Sequence, residues 1–236
     1  MDVQAGGSIG ERLRFIREQI RRAEQASSRA QGSVRLVAAT KTVSPERIRE
    51  AMAAGLTIAG ENRLQEALAK IDVLQGEPIA WHFIGQLQRR KARSVIGVFE
   101  LIHSVDSVEL AQEIDRRAEA AGVRQEILLE VNVGGETTKA GFHPDELRRT
   151  LPQFGILEHV AVKGLMGIPP PVDVAEQARP YFRALRELAC WLSQQAVPRI
   201  SMDELSMGMS NDYQVAIEEG ATLVRVGTAI FGARHV

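Results

Sequence analysis

Apolar and polar positions change period repeatedly along this chain. Ile9, Leu13, Ile16 and Ile20 recur at the spacing of an amphipathic helix. Ser8-Ile9-Gly10-Glu11 reads as a capping box, so a polar helix is expected from Ser8 to about Gln31. Short apolar, β-branched runs follow at 34–41, 56–59, 79–84, 99–103, 126–131, 160–165, 204–207 and 222–226. Between them lie helical patterns at 45–54, through Leu64, Leu68 and Ile71, at 88–95, after Asp106 and Glu109, from Pro144, at 174–195 and at 211–219, with a last turn near Ala229. Ser44-Pro45 is an N-cap followed by proline at the first helical position, and Gly55 and Gly220 are stop signals.

Eight strands, each followed by a helix and with no Pro/Gly-rich linker, predict an α/β fold: a single (β/α)8 TIM barrel over 1–236, with an extra N-terminal helix, 1–33, packed on it. The runner-up is a doubly wound open sheet, which a Gly-rich turn after the first strand would favour; here that strand runs into Thr40-Lys41-Thr42-Val43.

Composition narrows the function classes. A net charge of −1 gives no overall field for nucleic acid or an anionic membrane. No apolar run has the length of a membrane span, and the first residues lack the layout of a signal peptide, so a cytoplasmic chain without membrane or nucleic-acid partners is expected. The one cysteine, Cys190, suits a reducing compartment and a helical packing role. The five histidines show no ligand spacing, which argues against a metal site. Arg89, Arg90, Lys91 and Arg93 are most simply a solvated helix face.

In a barrel the chemistry sits at the C-terminal ends of the strands. Those positions include Lys41, Glu61-Asn62, His82, Ser104 with Asp106, Asn132, Met166, Ser206 with Ser210, and Gly227-Thr228. A partly desolvated lysine at a strand end is a nucleophile for a carbonyl; its bland alternative is a lysine reaching into solvent. The segments 206–212 and 225–229 combine hydroxyls, glycines and helix starts after the last two strands, where this fold binds phosphate. Helix capping alone accounts equally well for those residue types. A Schiff-base lysine with a phosphate site suits either a pyridoxal 5'-phosphate protein or an aldolase acting on a sugar phosphate. Arg225 lies two residues before Gly227, the spacing of one side of a strand, where a cation could approach a pyridine nitrogen rather than the phosphate; an ion pair within the barrel is its bland alternative.

Several segments together resemble the pyridoxal phosphate homeostasis family. They are Val37-Ala38-Ala39-Thr40-Lys41, Gly60-Glu61-Asn62-Arg63-Leu64-Gln65-Glu66, Trp81-His82-Phe83-Ile84-Gly85, Val131-Asn132-Val133 with Glu136, Lys139 and Gly141, Gly164-Leu165-Met166, Leu205-Ser206-Met207-Gly208-Met209-Ser210, and Arg225 through Gly232. The resemblance runs from about Ser33 to the end. It implies a barrel like the N-terminal domain of alanine racemase, of the fold-type III group. It implies that Lys41 carries pyridoxal 5'-phosphate as a Schiff base, with Asn62 beside the cofactor, Ser210, Gly227 and Thr228 on the phosphate, and Arg225 facing the ring nitrogen. His82, Met166 and Ser206 complete the expected cofactor-binding set. Gln88-Arg89-Arg90-Lys91 departs from the family, which often has Asn where Arg90 stands.

Racemisation at such a cofactor needs proton-transfer groups on both faces. Lys41 serves one; alanine racemase takes the other, a tyrosine, from a second domain and its partner subunit. The chain ends soon after the eighth strand, and Tyr181 and Tyr213 are its only tyrosines, neither an obvious substitute. The expectation is therefore a monomeric carrier that buffers pyridoxal phosphate and delivers it, with apo pyridoxal-phosphate enzymes as recipients, rather than an enzyme. A weak amino-acid racemase is the alternative.

Overall fold

The computed structural model describes residues 7–136 and 139–232. Residues 1–6 and 233–236, the outer ends of the spans 1–33 and 1–236, lie outside them. The elements in chain order are α1 (Ile9–Ala26), β1 (Arg35–Ala39), α2 (Pro45–Ala53), β2 (Ile58–Glu61), α3 (Leu64–Val73), β3 (Ala80–Phe83), β4 (Leu101–Val105), α4 (Val108–Ala121), β5 (Gln125–Val131), α5 (Pro144–Thr150), β6 (Val160–Gly167), α6 (Arg179–Ser193), β7 (Ile200–Ser206), α7 (Tyr213–Glu218), β8 (Leu223–Val226) and α8 (Thr228–Phe231). The eight strands pair in parallel in chain order, and β8 returns to β1 with Val37 opposite Arg225, closing the barrel.

Two apolar layers hold it together. Inside the ring, Val37, Ile58, Ile84, Leu101, Leu128, Met166 and Leu223 fill the lumen. A larger cluster lies between strands and helices, and α1 joins it through Ile9, Leu13, Ile16 and Ile20, each buried. Each such side chain contributes about 1.5–3 kcal/mol relative to an exposed one. The capping box is formed: the Ser8 hydroxyl accepts from Glu11 N, and the Glu11 carboxylate accepts from Ser8 N at 2.8 Å.

Helix α1 stops at Ala26, short of the expected Gln31. Ser27 turns its hydroxyl back onto the Ala23 carbonyl at 2.6 Å, and Ser28 takes φ 55°. The buried Glu24 carboxylate then accepts from Gly32 N and Val34 N at 3.1 and 2.8 Å, which directs the chain into β1. The basic helix expected near 88–95 is a 3-10 helix, Arg89–Ser94. Its buried Ala92 and the buried Val95 that caps it are three apart, the repeat of that tighter helix. Among the described residues no helix is long and apolar enough to cross a membrane.

Candidate functional site

An open cleft of about 310 Å³ lies at the C-terminal end of the barrel, where β8 meets β1. Lys41, Arg47, Ser210, Arg225, Gly227 and Thr228 line it, with Phe231 on one wall. Thus Lys41 and the expected anion residues, distant in sequence, share one space because the first and last strands are neighbours.

Lys41 is not the last residue of its strand, nor is it desolvated. Strand β1 ends at Ala39, and Lys41 is an exposed residue of the turn that follows. That turn is clamped on both sides of it. Thr40 donates its hydroxyl to Glu61 Oε1 at 2.6 Å, and its carbonyl accepts from Lys70 Nζ at 2.7 Å. Thr42, at φ 63°, donates its backbone N–H to Glu66 Oε1 at 2.5 Å. Lys70 ties the carboxylates together, 2.8 Å from Glu61 and 2.6 Å from Glu66. Glu61 is fully buried, and burial raises its pKa against the opposing pull of Lys70 and Thr40. The amine of Lys41 thus has no partner among the described residues, while the backbone carrying it is fixed.

On the opposite wall, Asp212 accepts from Met209 N at 2.6 Å and pins the turn that presents Ser210. Burial raises the Asp212 pKa. Gly227 precedes α8, and a Cβ there would stand 3.1 Å from the Ala39 carbonyl oxygen, so the cleft wall is backbone at this point. Arg47 donates to the Phe231 carbonyl and lies 5.9 Å above the Phe231 ring, adding a cation that sequence reasoning missed. A lone arginine on an amphipathic helix gives no signal of its own.

Arg225 is buried, and its guanidinium closes the inner end of the cleft. Nη1 donates to Ser206 O at 2.7 Å and to Ser206 Oγ at 2.5 Å; Nη2 donates to Gly167 O at 3.0 Å. Desolvation lowers its pKa to about 10, so it remains a cation at neutral pH. Glu130, also unforeseen, is pushed up to about 7 by burial and by the nearby charge of Asp106, against the pull of Arg225.

The other expected residues do not line the cleft. Asn62 follows β2 half-buried, and its Oδ1 is a buried acceptor with no partner among the described residues. A Cβ at Gly85 would fall 2.1 Å from the Asn62 carbonyl, so the chain passes tightly over it. His82, Met166 and Ser206 lie in the barrel lumen, below the mouth. His82 approaches His103 at 3.0 Å, and His103 approaches Ser206 Oγ at 2.8 Å. Burial lowers the His82 pKa to about 3 and that of His103 well below the usual imidazole range, so both rings are neutral. Among the described residues no cluster of His, Cys, Asp and Glu could hold a metal ion.

A closed parallel barrel with a lysine and an arginine at the β1–β8 mouth defines a class. Residues 12–235 match the family model described as alanine racemase, N-terminal domain. The chain is 46% identical to the pyridoxal phosphate homeostasis protein of Aquifex aeolicus, covering 95% of this chain and 97% of that one. It is 41% identical to the pyridoxal phosphate homeostasis protein of Pseudomonas aeruginosa, covering 96% of each. The solved structure of PipY from Synechococcus elongatus with PLP bound superposes with a TM-score of 0.84 at 41% identity, over 95% of this chain and 100% of that one. Within the alanine racemase N-terminal class, the chain belongs to the pyridoxal phosphate homeostasis family.

Proposed function

We propose that this protein binds pyridoxal 5'-phosphate on Lys41 and holds it for delivery within the cell, as a component of vitamin B6 homeostasis, rather than turning over a substrate. The observation that carries this reading is one cleft that gathers a primary amine with no partner among the described residues, a buried guanidinium, the hydroxyl residues Thr42, Ser210 and Thr228, and a glycine wall. The residues fit the group. Ser210, Thr228, the Gly227 backbone and Arg47 suit a phosphate. Arg225 can only donate, so it suits an acceptor nitrogen and opposes placing a proton there. When bound, the group supplies an aldehyde that a primary amine captures reversibly with release of water.

This chain's residues then bind and orient more than they catalyse. Lys41 would hold the aldehyde carbon, the loops after β7 and β8 would hold the anion, and Arg225 would weaken the ring as an electron sink. Among the described residues no tyrosine lines the cleft, and burial pushes the Tyr213 phenol up to about 12. We further propose that the chain acts as a cytoplasmic monomer and that apo enzymes using this cofactor receive it.

The test is a visible spectrum of the protein with added pyridoxal phosphate, borohydride reduction and peptide mass mapping. A pyridoxyl adduct on Lys41 is expected. Absence of any chromophore overturns the reading and favours an aldolase-type barrel. A weak racemase-like activity is the second reading, favoured by Glu130, whose carboxyl exchanges a proton near neutrality and senses Arg225. Deuterium incorporation at the α-carbon of an amino acid, lost in Lys41→Ala, would support it.

A further inference from the structure

The lumen of a barrel is ordinarily apolar, and here four buried polar side chains cross it in sequence. From Arg225 the contacts run to Ser206 Oγ at 2.5 Å, from Ser206 Oγ to His103 Nδ1 at 2.8 Å, and from His103 Nε2 to His82 Nδ1 at 3.0 Å. The two rings are 5.1 Å apart at 51°. Ser206, His103 and His82 are completely buried, at 0% exposure, and Arg225 is 6% exposed.

Donor accounting gives this chain one direction. Arginine only donates, so Ser206 Oγ accepts from it. The one hydroxyl hydrogen then needs an acceptor, and His103 Nδ1 is the only one within reach among the described residues. His103 therefore carries its proton on Nε2 and donates to His82 Nδ1. His82 carries its proton on Nε2 as well. That last N–H has no hydrogen-bond partner among the described residues and faces Glu100 Oε1 at 3.9 Å, at the opposite rim of the barrel. Reversing any link leaves the Ser206 hydrogen buried without an acceptor, which is costly.

The direction matters because Arg225 has no carboxylate within ion-pair distance among the described residues. Two carbonyls and one hydroxyl receive three of its N–H groups. Each dipole in the chain turns its negative end toward the guanidinium, and two N–H groups remain uncommitted at the cleft. We infer that His103 and His82 are positioning residues of this site: acting through Ser206, they hold Arg225 so that the inner end of the cleft presents a fixed hydrogen-bond donor. The functional part of this inference rests on the cofactor reading above; the tautomers do not.

The experiment is nitrogen-15 NMR of histidine-labelled protein without ligand, at neutral pH, beside pyridoxal phosphate titrations followed by visible absorption. The wild type is expected to show two neutral histidines locked as Nε2–H. In Ser206→Ala, His103 loses that preference, the cofactor binds about tenfold more weakly, the scale of one charge-assisted hydrogen bond, and its absorption maximum shifts. Ser206→Thr, which keeps the hydroxyl, restores all three, and His103→Gln reproduces the loss with the backbone fold intact. An Nδ1–H tautomer or a mixture at His103 in the wild type overturns the inference. So does a Ser206→Ala protein whose absorption maximum and affinity match the wild type. Locked tautomers in a protein that binds no pyridoxal phosphate would sink the cofactor reading and the positioning role while leaving the chain's direction standing.

Discussion

The two ends of this barrel carry similar residues and differ in what those residues are doing. At the N-terminal end, beneath α1, lies a larger cleft of about 530 Å³ lined by Arg14, Arg17, Glu18, Arg21, Glu24 and Arg35. Its charges are largely committed: Arg17 to the Ala54 and Gly55 carbonyls, Arg21 to Glu18 at 2.7 Å, and Arg35 to Glu204 at 2.5 Å. The C-terminal cleft is smaller, yet Lys41 has no ion pair there among the described residues and Arg225 keeps free donors. Size does not identify the site. Polar groups held in place without being satisfied do, because only they have interaction energy to give a ligand.

That contrast can be broken or sharpened by experiment. The largest effect is expected from Lys41→Ala, which should abolish the borohydride-trapped pyridoxyl adduct while the urea midpoint stays near the wild-type value, since an exposed turn side chain is removed. Next is Lys70→Met, which leaves Glu61 buried and unpaired; a loss of about 3–5 kcal/mol in urea unfolding is expected, as for other broken buried pairs. The double variant Lys70→Met/Glu61→Gln should recover part of it.

A smaller effect concerns pH. The carboxyl of Glu130 is raised in the folded state to about 7, so the folded protein binds more protons than the unfolded one between the two pKa values. Its contribution is fully present below the ordinary carboxylate range and is lost as pH rises through about 7. Glu130→Gln should therefore raise stability at pH 8 relative to the wild type and change little at pH 4, by denaturation midpoints. The smallest is expected at the other end: Arg35→Ala should cost under about 1 kcal/mol, the range of a half-exposed ion pair, and leave pyridoxal phosphate affinity unchanged in the same titration.

The order and number of elements were readable because each strand is a short apolar run bounded by a helical period. Edges were less so: β2 and β4 begin two residues later than the apolar runs do, at Ile58 and Leu101. Leu56 and Phe99 are buried outside the strands, and hydrophobicity alone does not separate a strand residue from the apolar residue that leads into it. Lys41, Ser210, Arg225, Gly227 and Thr228 were found as one set because barrel closure follows from the fold. In sequence His82 and Ser206 stand at strand ends, but an inward side chain one layer below the rim points into the lumen. Lys70 was invisible, since a lysine on an amphipathic helix reads as solvated whether or not two carboxylates bury it.

The pairing of Val37 with Arg225 has a consequence for how the molecule acquires its binding capacity. The amine arrives with the first strand and its counterpart cation with the eighth, so no fragment lacking either edge of the seam holds a complete receptor. On the proposed function, ligand capture by this chain would in effect be a certificate of finished assembly: a misfolded or truncated copy would leave the aldehyde in circulation.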